Sequence, residues 1–312
     1  MVPLAIVRQY AVGQQIAYEV ADQEIVLHYA LRLLNEAGLV GRSEPGAAPG
    51  ALLFKGGTAL RKCVFGSAGR FSQDVDLDAT HENGFEAEIE RAFAERTPFH
   101  GIAFSIPQFR YSQEGNFSGA IEYEHEHSGG RFELQISYRL DPILDSRDLA
   151  LQEQSYFRRV EFEPPLLHGL DPYEMVGEKI MACNRRLGGS AKDVYDLYLW
   201  AGRPFDEALV RLLAVLKAWT DRRAGRPYRP NEFLDQIEQR RFRWEDIGGL
   251  VPRRLESDPE RICATVRARF SFLAVCSEEE RAILDDQAAH RERRLFDRLR
   301  MEARQAAGDV PR

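Results

Sequence analysis

The sequence predicts an α+β protein in which strands come first and a helical remainder follows. Three observations point there. Apolar residues recur with a period of two between Gly101 and Leu140, the spacing of half-buried strands. From Asp171 onward they recur at helical spacing, and the pair Pro164-Pro165 separates the two regimes. The expected domains are residues 1–165 and 166–312, each long enough to bury a core of its own.

Taken in order, Ile16, Val20, Ile25, Leu27, His28, Leu31 and Leu34 run at helical spacing and Gly38 supplies a stop, so a lead-in helix is expected. Gly41 to Gly50, with two prolines and three glycines, reads as a loop that ends at the apolar run Ala51-Leu52-Leu53-Phe54, a strand. Gly56-Gly57 lets the backbone turn tightly, and Thr58 is placed to cap a short helix reaching about Val64. Asp74 to Asp78 is expected as the next strand, followed by His81 and Glu82 and by a helix over Phe85 to Arg96. Ile121, Tyr123, His125 and His127 alternate with Glu122, Glu124 and Glu126, and Ser128-Gly129-Gly130 then turns the chain into Phe132, Leu134, Ile136 and Tyr138, a hairpin. Residues 141–165 are irregular. Asp171-Pro172 combines a cap with a first-turn proline, so a helix is expected over Tyr173 to Leu187. A second opens at Ala191, and a largely apolar one covers Leu209 to Trp219. Three more helical stretches follow to about Arg304, and Gln305 to Arg312 is expected to be disordered.

The chemistry is expected between Lys55 and Asp78. Side chains alternate along a strand, so Asp74, Asp76 and Asp78 share one face while Val75 and Leu77 take the other. Three carboxylates on one face repel unless they are solvated or hold cations, and Mg²⁺ takes one or two carboxylates with waters and substrate phosphates. Carboxylates at i and i+2 lie roughly 7 Å apart, close enough to bridge two metals about 4 Å apart that clamp the oxygens of an in-line phosphoryl displacement. The glycine turn supplies the other requirement, backbone N–H groups that face an anion. Glu133, flanked by Phe132 and Leu134, reads on its own as solvent-facing. His125 and His127 share a strand face open to a transition metal. With Ile121 and Tyr123 on that face, a partly buried surface is the favoured reading.

Lys55-Gly56-Gly57-Thr58-Ala59-Leu60-Arg61-Lys62, followed by Arg70-Phe71-Ser72-Gln73-Asp74-Val75-Asp76-Leu77, resembles the signature of the AbiEii/AbiGii-type toxin nucleotidyltransferases, which include the MenT toxins. Glu178-Lys179-Ile180-Met181-Ala182 matches the family helix whose lysine enters the active site. Ala191-Lys192-Asp193-Val194-Tyr195-Asp196-Leu197 is similar to its last motif, although the arginine usual ahead of the Lys-Asp pair is missing and Arg185 and Arg186 lie further upstream. The resemblance spans Leu52 to Leu197. It implies a polymerase-β-type nucleotidyltransferase mixed sheet followed by a mostly helical domain, and a reaction in which an acceptor oxygen attacks the α-phosphorus of an NTP and pyrophosphate leaves. It implies Asp74 and Asp76, with Glu133 as the third carboxylate, as Mg²⁺ ligands. Lys55, Gly56, Gly57, Thr58, Arg61 and Ser72 would hold the triphosphate and Lys179 would balance its charge. Asp193 and Asp196 would assist the acceptor or orient Lys179. It implies further the 3′ end of transfer RNA as acceptor, a block of translation, and a cognate antitoxin. Ser72 stands where relatives carry a serine that is phosphorylated on neutralisation.

Charge bears on the acceptor. The net charge is −7, but residues 1–178 hold 15 Lys+Arg against 27 Asp+Glu, and residues 179–312 hold 27 against 22. The basic half is either a surface for a polyanion or a solvated, arginine-rich helical surface. Arg222, Arg223, Arg226 and Arg229, with Tyr228 among them, form the best candidate RNA contact, and Arg240, Arg241 and Arg243 a second cluster. The four cysteines are far apart and indicate neither a zinc site nor a disulfide framework. No apolar run approaches the 18 or so residues of a membrane span and no signal peptide is recognised, so a cytoplasmic location is expected. Two other classes are compatible with these residues: modification of a protein hydroxyl, by nucleotidylation or phosphorylation, and a nucleotide-binding protein without turnover.

Overall fold

A computed structural model describes residues 2–310 except 43–45, 81–83, 107–108, 112–115, 139–141, 187 and 222–225. The chain divides into two units, and the division falls after Leu170, not at 165/166. The first unit comprises Met1–Asp141, Ser146–Leu170 and Gly249–Leu255, and the second Pro142–Asp145, Asp171–Gly248 and Glu256–Arg312. The difference has a physical reason. Leu166–Gly169 forms a strand that belongs to the sheet of the first unit.

That unit opens with two helices, α1 (Leu4–Gln14) and α2 (Tyr18–Glu36), where one was expected. Gln15 separates them in a left-handed conformation, φ 56°. The strands are β1 (Leu52–Lys55), β2 (Asp74–Ala79), β3 (Ala103–Ser105), β4 (Phe109–Tyr111), β5 (Phe117–His125), β6 (Ser128–Ser137), β7 (Arg147–Ala150) and β8 (Leu166–Gly169). They form one mixed sheet in the order β3-β5-β6-β2-β1-β8-β7, with β4 paired to β5. β2 runs parallel to β6 and β1 parallel to β8, while the remaining pairs are antiparallel. Between β1 and β2 lie a short α3 (Gly56–Ala59), a π-helical turn over Leu60–Phe65 and a 3-10 turn over Gly66–Ala68. α4 (Phe85–Glu95) precedes β3.

Alternation gives the sheet a dry and a polar face. Phe117, Gly119, Ile121, Tyr123 and His125 of β5 are buried, as are Phe132, Leu134 and Ile136 of β6 and Val75 and Leu77 of β2. α2, buried throughout from Ala21 to Leu31, packs on this sheet through β6 and on α1 and α4. The opposite face presents Asp74, Asp76 and Asp78 beside Glu133, Gln135 and Ser137 in register. The hairpin turns at Glu126-His127, one step earlier than expected, and Ser128-Gly129-Gly130 is already strand, pairing with His125, Glu124 and Tyr123.

The second unit is helical: α5 (Pro172–Arg185), α6 (Lys192–Ala201), α7 (Glu207–Thr220), α8 (Pro230–Asp235), α9 (Pro259–Arg269), α10 (Glu278–Asp285) and α11 (Arg293–Asp309). Local chemistry sets the starts. Asp171 accepts from the Tyr173 N–H ahead of Pro172, Asp206 accepts from the Leu209 N–H, and Ser277 with Glu280 forms a capping box. A core gathers Leu213, Leu216 and Trp219 of α7 with Ile283 of α10 and Phe296, Leu299 and Ala303 of α11. Ile143 and Leu144 join it, their backbone N–H groups donating to the two oxygens of buried Glu174 at 2.9 and 2.8 Å. α11 runs on to Asp309 where disorder was expected, because Ala306, Ala307 and Val310 pack against this core.

Candidate active site

The first unit holds the acidic face. β1 and β2 are antiparallel with Lys55 opposite Asp76. The Lys55 Nζ lies 2.5 Å from Asp78 Oδ1, both side chains buried, so the lysine neutralises the third aspartate. Asp74 and Asp76 are half-buried on the same face. Gly56 follows Lys55 with φ +76°, and a Cβ there would overlap the Asp76 carboxylate, at 2.9 Å even from its Cβ. The turn must therefore be glycine both for its backbone and for its contact with Asp76. Thr58 is buried and does not cap α3. Its hydroxyl donates to the Asp74 carbonyl oxygen, tying the helix to the start of β2.

Glu133 is the register partner of Asp74 across the parallel β2–β6 pair and is half-buried on the acidic face. Among the described residues, no three His, Cys, Asp or Glu side chains are gathered closely enough to hold a metal ion. Glu133 lies beside Asp74 on that face. Asp74 and Asp76, with Glu133 beside them, fit a hard divalent cation: they offer oxygen donors only, and the Cβ-free backbone of Gly56 leaves the Asp76 carboxylate room at the turn. Ser72 is buried just ahead of β2. The Phe71 N–H beside it donates to the Leu250 carbonyl oxygen at 2.7 Å.

Arg61 corrects its expected role. It is 1% exposed, its guanidinium lies over the Phe71 ring at 4.4 Å, and its Nε is 3.6 Å from Glu24 Oε1, so it faces the interior and not a phosphate. Lys62 on the same π-helical turn reaches Glu24 Oε2 at 3.1 Å and His28 Nδ1 at 3.0 Å. His28 also lies 2.7 Å from the Tyr156 hydroxyl. Burial lowers the Lys62 pKa to about 8, and burial with the adjacent Lys62 charge keeps His28 well below the usual imidazole range. The histidine pair is no metal centre: His125 is buried with its Nε2 3.0 Å from Asp22 Oδ1, while His127 sits in the turn. Nothing in sequence singled out Asp22, Gln23 and Glu24. Their one signal is three successive polar residues directly ahead of the apolar run Ile25-Val26-Leu27.

The second unit brings the other motifs together. Lys179 on α5 is held between two residues of α6, with its Nζ 2.7 Å from Asp193 Oδ1 and 2.8 Å from Asp196 Oδ2. Asp193 and Asp196 are one helical turn apart and both buried, and both face the lysine. Arg186 approaches Asp193 Oδ2 at 3.8 Å, whereas Arg185 pairs with Asp221 at 3.1 Å.

Of the expected RNA contact, the structure describes Tyr228, Arg226 and Arg229. Arg222 and Arg223 lie outside the described residues. Arg226 and Arg229 both pair with Glu232, at 3.2 and 3.7 Å, and Tyr228 is buried, so its ring is not offered for stacking. In the second cluster Arg240 pairs with Glu238 and Arg243 with Asp246.

A mixed sheet with paired acids beside a glycine turn is the frame that a nucleotidyltransferase of the polymerase-β type implies. The family model described as nucleotidyl transferase AbiEii toxin, type IV toxin–antitoxin system, matches residues 42–274, and the chain belongs to that family. Among solved structures it is similar to MenT4, the nucleotidyltransferase toxin Rv2826c from Mycobacterium tuberculosis H37Rv. That likeness has 27% identity and a TM-score of 0.75, over 97% of this chain and 100% of that one. It is also similar to JHP933 from Helicobacter pylori, with 14% identity and a TM-score of 0.47, over 86% of this chain and 98% of that one. No curated protein sequence matches. Among the described residues, no helix is long and apolar enough to cross a membrane.

Proposed function

We propose that this chain transfers a nucleotide from an NTP to an acceptor hydroxyl, most specifically the 3′ end of transfer RNA, and so blocks translation until a cognate antitoxin neutralises it. The observation that supports this reading is the packing of the Gly56 turn on Asp76, with Asp74 on the same half-buried face. Asp74 and Asp76 would hold Mg²⁺, which supplies Lewis-acid stabilisation of phosphoryl oxygens when bound. Gly56 and Gly57 would present backbone N–H groups to the triphosphate, with Thr58 holding the turn against β2. For Lys179 we propose the balancing of charge on the departing pyrophosphate. Asp193 and Asp196 keep its ammonium in place. Phosphorylation of Ser72 would put negative charge one residue from Gln73 and two from Asp74, where phosphate is to bind.

The test is incubation of the purified protein with total transfer RNA, Mg²⁺ and each labelled NTP in turn. Asp76→Ala and Lys179→Ala serve as controls. Label on RNA from the wild type alone is expected, and the nucleotide that delivers it names the donor. Label on protein, or on nothing, would remove transfer RNA as the acceptor, and the mass of a labelled protein would distinguish nucleotidylation from phosphorylation.

A further inference from the structure

Three successive residues of α2, Asp22, Gln23 and Glu24, are buried. Neighbouring positions on a helix are about 100° apart, so the three side chains leave it in different directions. Asp22 meets His125 on β5, and Glu24 meets Arg61 and Lys62 on the turn after α3. Gln23 is uncharged and its partners are backbone. Its Nε2 donates to the Arg131 carbonyl oxygen at 2.9 Å and, more weakly, to that of Gln73 at 3.5 Å.

Those two carbonyls have a particular place. Gln73 immediately precedes Asp74, and Arg131 lies two residues before Glu133. The registered pairs of the parallel β2–β6 ladder begin at Asp74 and Glu133. An amide group has two N–H donors. Setting one toward each strand makes the Gln23 side chain a substitute rung, added where the backbone rungs end and where the acidic face begins. A strand end without such a rung is the part of a ladder that opens most readily.

We propose that Gln23 is a positioning residue for the metal-binding carboxylates: by bridging Gln73 and Arg131 it fixes the height of Asp74 on β2 against β6. The inference rests on the reading of Asp74 and Asp76 as metal ligands. It concerns a residue about fifty positions upstream of them that reaches only their supporting backbone, in the manner of outer partners that orient ligands elsewhere.

The test is direct titration of the nucleotide-free protein with Mn²⁺, following free ion by electron paramagnetic resonance. Wild type, Gln23→Glu, Gln23→Met and Asp76→Ala are compared, with thermal melting of each. Gln23→Glu keeps the shape but turns an acceptor on two carbonyl oxygens. Gln23→Met keeps the length without donors or charge. The expected result is a rise of roughly tenfold in the Mn²⁺ dissociation constant for both Gln23 variants. Their melting would remain cooperative, and at saturating Mn²⁺ the KM for NTP would be that of the wild type. Wild-type affinity in both variants overturns the inference, as does a loss that only follows the unfolded fraction. Absence of Mn²⁺ binding by the wild type sinks the metal reading itself and this inference with it.

Discussion

Gly56 is where backbone and chemistry constrain each other most tightly. An alanine there has to adopt φ near +76° and place its Cβ in the Asp76 carboxylate. Gly56→Ala should cost about 1–3 kcal/mol of stability, the range for strained backbone at functional sites. It should also abolish turnover at temperatures where the variant is still folded, which parallel denaturant unfolding and activity assays would read. Lys62 gives a different residue-scale prediction. Its folded pKa, lowered to about 8 by burial, lies below its ordinary value of 10.5. Between those values the unfolded chain binds the extra proton, so stability gains from rising pH. The wild type should therefore strengthen relative to Lys62→Met as pH rises from about 8 toward 10.5, and chemical unfolding of both proteins across that range measures it. A difference that shrinks or stays flat would mean that Lys62 keeps its proton in the interior.

Elements differ in how plainly the sequence announces them. β2 and the glycine turn were legible because their signals are local: an alternating acidic strand and a Gly-Gly pair directly after an apolar run. The helices α5 and α7 were legible through caps and periodicity. α1 was not, because its stripe of Val7, Tyr10 and Ala11 is blurred by apolar residues on its other sides, Ile6 and the exposed Val12 among them. β7 and β8 have four residues each, too few for a period-two pattern to stand out, and β8 includes His168 and Gly169. The acids of β2 stood out by their spacing. Gln23 and Glu24 did not, since the partners that explain them lie 108 residues away at Arg131 and 38 away at Lys62. The resemblance implied Arg61 as a triphosphate ligand, and nothing in its local sequence signalled that Glu24 and Phe71 hold it. The α11 helix carries an element-scale prediction. Its Phe296 ring stacks on Trp219 at 4.4 Å between centroids, and large apolar side chains of this kind contribute about 3–5 kcal/mol each. Ending the chain after Glu292 should therefore unfold the helical core. Trp200, Trp219 and Trp244 all belong to the second unit, so a red shift of tryptophan emission would report that event; unchanged emission would count against this account of the core.

At the scale of the molecule, the mixed sheet and helical remainder agree with the α+β expectation, and membership of the AbiEii family agrees with the motifs that suggested it. The linear split at 165/166 does not describe the chain, whose units are interleaved. Pro142–Asp145 leaves the first stretch for the helical unit, and Gly249–Leu255 returns to the sheet unit after the helices through Ile247 have been traced. That returning strap accepts a hydrogen bond from the Phe71 N–H at Leu250, and Arg254 donates to Gln14 and Ser67. The order of synthesis then matters. A ribosome has to deliver the chain through Leu250 before the loop leading into Asp74 receives that backbone tie, so a polypeptide that stops between β2 and Leu250 carries Asp74 and Asp76 without the finished scaffold around them.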